Sequence, residues 1–208
     1  MTVLVTIGPT QEPLDAMRLI SNRSTGELGT RLAMALAEAG HRVIALRGTG
    51  ATASPKPLDH GQIRVIPFTT TEDLRLALEK LSAAEAIGAV FHAAAVSDFF
   101  LPAAGSGKIP SSGGSLTLTL EPTPKLLPMM KSWFPKARIT GWKFEASGAR
   151  DTALAAGRDQ IAACDTDACV VNGPSYGEGF GLLSADGGLL HLADQQELCT
   201  HLGEHLAG

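Results

Sequence analysis

The sequence predicts an α/β protein built on a single doubly wound, Rossmann-like, mostly parallel sheet with helices on both faces. Short apolar runs recur at Val3–Ile7, Arg42–Leu46, Ile63–Pro67 and Ala89–Ala93. Continuous runs of this kind suit strands buried on both faces, whereas a half-exposed strand would alternate. Segments with helical spacing lie between them and end at turn residues. A strand, helix, strand, helix rhythm is the pattern of parallel crossover units.

The elements follow in order. The first strand breaks at Gly8-Pro9-Thr10, and the Ala/Leu-rich helical run from Gly26 to Ala39 stops at Gly40. A helix over Thr71–Ser82 takes Thr71 as its N-cap. The pattern changes after Asp98. Residues 102–115 are nearly all small, too rich in Gly, Ser and Pro to pack a core, and read as a flexible flap. Leu116–Leu120 alternates strictly with threonine, as a strand with one dry face does; it would extend the sheet in an added antiparallel region or pair across a dimer. A short helix (Pro124–Trp133), a strand (Arg138–Trp142), a helix (Arg150–Ala163) and a strand (Ala168–Asn172) come next. A strand pair around Gly181–Leu192 turns at Ala185-Asp186-Gly187-Gly188, and a helix over Gln195–Leu206 follows. No linker, composition break or repeat divides the chain, so 1–208 reads as a single nucleotide-binding domain with the flap at about 102–115.

Composition removes whole classes of function. With 44% hydrophobic and 18% charged residues, the chain is too apolar for disorder and has no fibrous period. The formal charge of -4, from 17 Lys and Arg against 21 Asp and Glu, favours neither nucleic acid nor an anionic membrane as partner. An anionic ligand must therefore be held by a local pocket. Cys164, Cys169 and Cys199 form no C-x-x-C pair, which fits a reducing, cytoplasmic compartment. There is no signal-peptide pattern and no apolar stretch near the roughly 18 residues of a membrane span.

A Gly-containing turn after the first strand invites a dinucleotide reading, but the G-x-G-x-x-G fingerprint is absent and the second strand ends in Leu46-Arg47, not in an acid for a ribose hydroxyl. The only tyrosine, Tyr176, has Phe180 four residues on where a short-chain reductase needs lysine. Arg47 keeps an NADP-dependent reductase as a weaker alternative. The loop from Gly8 to Gly26 is more informative, because a simple connection takes about 2 to 6 residues. Arg18 suits a carboxylate or phosphate, Asn22 offers a donor and an acceptor, and Ser24, Thr25 and Gly26 stand where a helix N-terminus presents N–H groups to an anion. Capping by Ser24 or Thr25, with Asn22 shaping the turn, explains the same residues structurally.

Residues 3–46, then Phe91 through Phe99, Lys108-Ile109, Pro124 through Leu127, Gly141 through Glu145 and Val170-Val171-Asn172 together resemble the phosphopantothenate-cysteine ligase family, in family order over nearly the whole chain. The resemblance implies joining of 4′-phosphopantothenate and L-cysteine in coenzyme A synthesis. In that reaction a nucleoside triphosphate, CTP or ATP, activates the carboxylate as an acyl-nucleotide with pyrophosphate release. It implies Mg²⁺ carried by the phosphates, no flavin, since the chain leaves no room for a fused decarboxylase, and a homodimer.

It also implies roles. Asn22 and Lys108 would be catalytic, Asn22 orienting the acyl-nucleotide carbonyl for the cysteine amine and Lys108 contacting the triphosphate. Gly8, Thr10, Arg18, Ser24, Thr25 and Gly26 would bind substrate. Ala94, Ala95, Asp98, Lys108, Pro124, Lys125 and Trp142 would bind nucleotide, Asp98 standing at a strand's carboxyl end and the alanines letting backbone approach the ligand. Three departures suggest a catalytically altered nucleotide-binding paralogue as the rival reading: Glu27 replaces a common family lysine, Pro110 replaces another, and the Arg150–Ala163 helix carries Arg150 and Arg158 but no lysine. No metal-ligating set is read from the sequence; His201 and His205, with Cys199 nearby, read as a solvated helix face, and the cysteines as packing residues.

Overall fold

The structure, a computed structural model, describes residues 1–102, 107–110 and 114–207. In chain order it forms β1 (Thr2–Ile7), β2 (Gln11–Pro13), β3 (Leu19–Ser21), α1 (Glu27–Glu38), β4 (Arg42–Gly48), β5 (Ile63–Phe68), α2 (Thr71–Ala84) and β6 (Ala89–His92). There follow β7 (Phe99–Phe100), β8 (Glu121–Pro122), α3 (Met130–Trp133), β9 (Arg138–Phe144), α4 (Arg150–Cys164), β10 (Ala168–Asn172), β11 (Phe180–Ser184), β12 (Leu189–Leu192) and α5 (Gln195–Glu204).

Among the described residues the main sheet has eight strands in the order β12-β11-β10-β9-β6-β1-β4-β5. The neighbours from β5 to β10 are parallel, and β11 and β12 are added antiparallel. The chain leaves β1 for β4 and β5 on one side and returns through β6 on the other, so the topological switch lies between β1 and β6. Ligands of open α/β sheets bind outside the strand carboxyl ends at such a switch.

The apolar runs explain the two-sided burial. Val3, Leu4, Val5 and Ile7 are all fully buried. Val3, Val5 and Ile7 join Leu32 and Leu36 of α1 and Leu198 of α5 on one face, while Leu4 joins Leu74 and Leu78 of α2 and Met130 of α3 on the other. Each large aliphatic side chain so buried contributes about 1.5–3 kcal/mol. Among the described residues, no helix is long and apolar enough to cross a membrane.

Four sequence expectations need correction. Leu116–Leu120 forms no strand; β7 pairs with Glu121–Pro122, and Leu116 and Leu120 stand exposed. Its alternation presupposes a neighbouring edge that no described residue supplies. The short helix begins later, as a 3₁₀ turn over Leu127–Met129 running into α3. The long loop holds an unforeseen hairpin, β2–β3, pairing Gln11 with Ser21 and Pro13 with Leu19. The N-cap of α2 is Thr70, one residue before the expected Thr71, because Asp73 completes a capping box. Of the expected flap, residues 103–106 and 111–113 lie outside the described residues.

In that box the Thr70 hydroxyl accepts the Asp73 N–H at 3.0 Å, and the Asp73 carboxylate accepts the Thr70 N–H at 3.0 Å. Thr70→Ala removes one acceptor from the α2 N-terminus and is expected to cost about 1 kcal/mol. Chemical denaturation would show it as a lower midpoint with an unchanged slope.

Candidate active site

Pairing between β1 and β6 continues past the end of the sheet. Pro9 bridges Ala95, the Ala95 N–H donates to the Gly8 carbonyl at 3.0 Å, and the Thr10 N–H donates to the Ala95 carbonyl at 3.2 Å. Two threonine hydroxyls extend this pairing: Thr6 Oγ1 accepts the Ala94 N–H at 3.0 Å, and Thr10 Oγ1 accepts the Ser97 N–H at 2.8 Å. Gly8 is required here. Its φ is +80°, and a Cβ on it would lie 2.7 Å from the Cβ of Ala51. Gly26, at φ +76°, caps α1 against the same alanine. Gly8, Thr10 and Gly26 are thus buried in the frame. Thr10 is fully enclosed.

Beside this frame, at the carboxyl ends of β6 and β9, lies a cavity of about 320 Å³. Ala94, Asp98, Pro124, Lys125 and Trp142, all expected at a nucleotide site, line it together with His92 and Cys164. Ala95 and Lys108 are not among its lining residues. The Lys125 ammonium donates to the Asp98 carboxylate, and both side chains are mostly exposed. Trp142 lies edge-on to Phe91, with ring centroids 6.4 Å apart, and its Nε1 is buried without an acceptor. A larger cavity of about 410 Å³ opens at the other end of the strands, near Arg138, Ala168, His201 and His205. The smaller one occupies the end of the sheet where α/β proteins bind ligands.

The loop residues divide. Asn22 is exposed and its Nδ2 donates to the Val96 carbonyl at 2.9 Å, which ties the loop to the segment lining the cavity and leaves one amide hydrogen free. Ser24 is half-buried and Thr25 exposed. Neither caps α1 in the usual way, although Thr25 Oγ1 accepts the Glu27 N–H at 3.2 Å. Glu27 pairs with Arg31 at 2.8 Å on the exposed face of α1. Arg47 donates to the carbonyls of Ala51 and Ala53 at 3.0 and 2.7 Å, which leaves the NADP reading without its cation.

Arg18 is held by Asp15, a residue that sequence reasoning missed. Asp15 is buried, its Oδ1 accepting the N–H groups of Met17 and Arg18 at 2.7 and 2.8 Å. Its Oδ2 accepts Arg18 Nη1 at 3.0 Å and the Ile109 N–H at 3.0 Å. Arg18 also donates to the Ile109 carbonyl at 3.4 Å. The pair thereby docks the segment 107–110 on the β2–β3 hairpin and sets the position of exposed Lys108. The available signal was the acid three residues before Arg18; its partner lies 94 residues away.

Ionisation follows from these surroundings. The Ile109 N–H, then those of Met17 and Arg18 and the Arg18 charge, hold the Asp15 carboxyl below the usual carboxylate value. Burial pushes the Cys169 and Cys199 thiols up to about 12, as inert packing residues require, and raises Cys164 at the cavity wall. Burial lowers His92 to about 4. The His201 and His205 rings stack with centroids 4.3 Å apart. Among the described residues, no three His, Cys, Asp or Glu side chains could hold a metal ion together. Among the residues lining the cavity, Asp98 is the carboxylate.

Residues 1–203 match the DNA/pantothenate metabolism flavoprotein C-terminal domain family. The coenzyme A biosynthesis bifunctional protein CoaBC of Thermococcus kodakarensis is 34% identical over 170 residues, covering 82% of this chain and 40% of that protein. The phosphopantothenate–cysteine ligase of Homo sapiens is 31% identical, covering 71% of this chain and 64% of that protein. The chain therefore spans less than two thirds of the length of either relative. A solved structure, the DNA/pantothenate metabolism flavoprotein from Streptococcus pneumoniae, superposes with a TM-score of 0.87 at 23% identity, covering 100% of this chain and 98% of that one, and shares the fold.

The Asp15 docking makes a pH prediction. A depressed folded pKa stabilises the docked form above the ordinary carboxylate value of 3.8, and this stabilisation is lost as pH falls through the lower folded value. Hydrogen exchange at the Ile109 amide is expected to stay protected throughout neutral pH. Asp15→Asn should remove that protection at pH 7.

Proposed function

The chain belongs to the DNA/pantothenate metabolism flavoprotein C-terminal domain family, and on that premise we propose that it joins 4′-phosphopantothenate to L-cysteine at the expense of a nucleoside triphosphate. The observation that carries this reading is the cavity lined by Ala94, Asp98, Pro124, Lys125 and Trp142, linked to Asn22 through the Val96 carbonyl.

A carboxylate oxygen of phosphopantothenate attacks the α-phosphorus of the triphosphate; the α–β phosphoanhydride bond breaks and pyrophosphate leaves. The cysteine amine then attacks the acyl carbon, the bond to the nucleotide oxygen breaks, the nucleoside monophosphate leaves and the amine loses a proton. No electrons change hands, so the reaction needs no flavin. Mg²⁺, when bound, neutralises phosphate charge, with Asp98 the carboxylate nearest to hand. Lys125 and Lys108 supply positive charge toward the phosphates. The free Asn22 amide hydrogen suits a carbonyl oxygen that gains negative charge in the second step, but an amide takes no proton, so Asn22 orients and does not act as a base. Ser24, Thr25 and the first turn of α1 offer N–H groups to an anionic part of the substrate.

One observation favours a second reading. Glu27, in the first turn of α1, puts a negative charge where the family resemblance expects a lysine, which opposes an anion there and suits an altered nucleotide-binding paralogue.

The test is pyrophosphate release from CTP and from ATP, with Mg²⁺ and 4′-phosphopantothenate, with and without L-cysteine. Release that depends on phosphopantothenate is expected, and its preference names the nucleotide. Asn22→Ala should still form the acyl-nucleotide but fail to pass it to cysteine; Lys108→Ala should slow its formation about a hundredfold. No release with either nucleotide from folded protein would favour the paralogue.

A homodimer forms part of the same proposal. Exposed Phe99, Leu116 and Leu120 on the β7–β8 side, with Met17 and Leu19 on the β2–β3 hairpin, leave apolar surface of the kind that interfaces cover. Sedimentation equilibrium should give twice the chain mass, and Phe99→Asp should shift it toward one chain.

A further inference from the structure

We propose that His92 recognises the nucleobase: its Nε2–H donates a hydrogen bond to an acceptor atom of the base at the inner wall of the cavity. The inference rests on the nucleotide site of the ligase reading and deepens it.

The argument begins with Thr6, whose hydroxyl is fully buried. Thr6 Oγ1 accepts the Ala94 N–H at 3.0 Å and lies 3.0 Å from His92 Nδ1. If Nδ1 carried the ring proton, it would donate to Thr6, and the hydroxyl hydrogen would be left in the core with no acceptor. Buried donors are almost always paired. Thr6 therefore donates to Nδ1, and the proton of the neutral ring sits on Nε2. The ring stays neutral at pH 7 because burial pushes its pKa down to about 4.

His92 is only 7% exposed, and no described residue accepts its Nε2–H. Its remaining opening is the cavity, whose wall it forms with Leu126, Leu127, Trp142 and Gln160. Of the charged groups in its lining, Asp98 and Lys125 are largely solvent-exposed at the rim, with side chains 62% and 66% exposed, and Lys143 is paired with Glu145 at 3.3 Å. A nucleotide lying with its phosphates at that rim places its base against the apolar and neutral wall. There the backbone relay from Ala94 through Thr6 presents one donor of fixed polarity. An amphiphile of another kind would need no such fixed donor; a heteroaromatic base, with lone pairs on its ring nitrogens or carbonyls, does.

Calorimetric binding of CTP and of ATP to the whole chain tests the proposal, with His92→Leu and His92→Gln compared at equal thermal stability. His92→Leu is expected to weaken the preferred triphosphate about tenfold, and His92→Gln, which keeps an N–H donor, to recover part of the loss. Phosphopantothenate affinity should not change. Equal triphosphate affinity in His92→Leu would overturn this inference and leave the ligase reading standing; failure of the unsubstituted chain to bind either triphosphate would overturn both. If His92→Leu does not fold, histidine side-chain ¹⁵N spectra of the unsubstituted chain serve instead. The Nε2–H signal should be that of a neutral ring at pH 7 and should shift when the triphosphate is added; an Nδ1–H tautomer, or no shift at saturation, would overturn the proposal.

Discussion

The site depends on how two parallel strands continue after their sheet has ended. Beyond Ile7 and His92 the chains of β1 and β6 must diverge into a turn and a loop, yet their backbone groups stay buried and need partners. Thr6 and Thr10, on the β1 side, supply hydroxyl oxygens to the N–H groups of Ala94 and Ser97. A buried N–H left without an acceptor costs about 1–3 kcal/mol, so the two threonines together decide whether the Ala94–Asp98 segment runs along the cavity or elsewhere. What that segment carries follows: the Val96 carbonyl that holds Asn22 and the Asp98 carboxylate at the cavity.

Two buried carboxylates organise the other half. Glu12 accepts the Thr71 N–H and hydroxyl at 2.8 and 2.7 Å, fastening the hairpin to the first turn of α2, where a negative group also meets the helix dipole favourably. Asp15 faces outward along the hairpin and fastens the segment carrying Lys108. The sequence invites reading this loop as a set of ligand-binding groups, because Arg, Asn, Ser and Thr are dense in it. Part of that density is architecture. Arg18 is turned toward Asp15 and Ile109, and Thr10 is enclosed, so neither presents an open face of the kind that Asn22 does.

What was legible follows from the range of each interaction. Strands such as Ala168–Asn172 were readable because burial on both faces leaves a local imprint, a continuous apolar run. Thr70 was misplaced by one residue because both threonines can cap, and only the return bond from Asp73 separates them. Leu116–Leu120 was misread because alternation describes a strand's faces and says nothing about the edge it needs. The residues expected at a nucleotide site near 94–98 and 124–125 come from family motifs, and the fold brings Ala94, Asp98, Pro124 and Lys125 to one cavity. His92 and Asp15 were missed since their meaning comes from partners 86 and 94 residues away in sequence.

The proposed triphosphate is a polyanion, and the chain carries a net charge of -4. Its field at a distance is unfavourable, so attraction must come from cations close to the site. Three nearby cations pair with carboxylates: Lys125 with Asp98, Arg18 with Asp15, Lys143 with Glu145. Such pairs differ in how easily they exchange. An exposed pair is worth about 0–1 kcal/mol, so under the proposed function a triphosphate, with several charges on one group, would draw Lys125 from Asp98 at little cost. The Arg18–Asp15 pair is another matter, because the Asp15 side chain is fully enclosed and also satisfies three backbone N–H groups. Drawing Arg18 away would leave an enclosed carboxylate charge without its counter-ion. The exposed pair is therefore the exchangeable one and the enclosed pair the fixed one, which under the proposed function leaves Lys125 for the ligand and Arg18 first for the frame that positions Lys108.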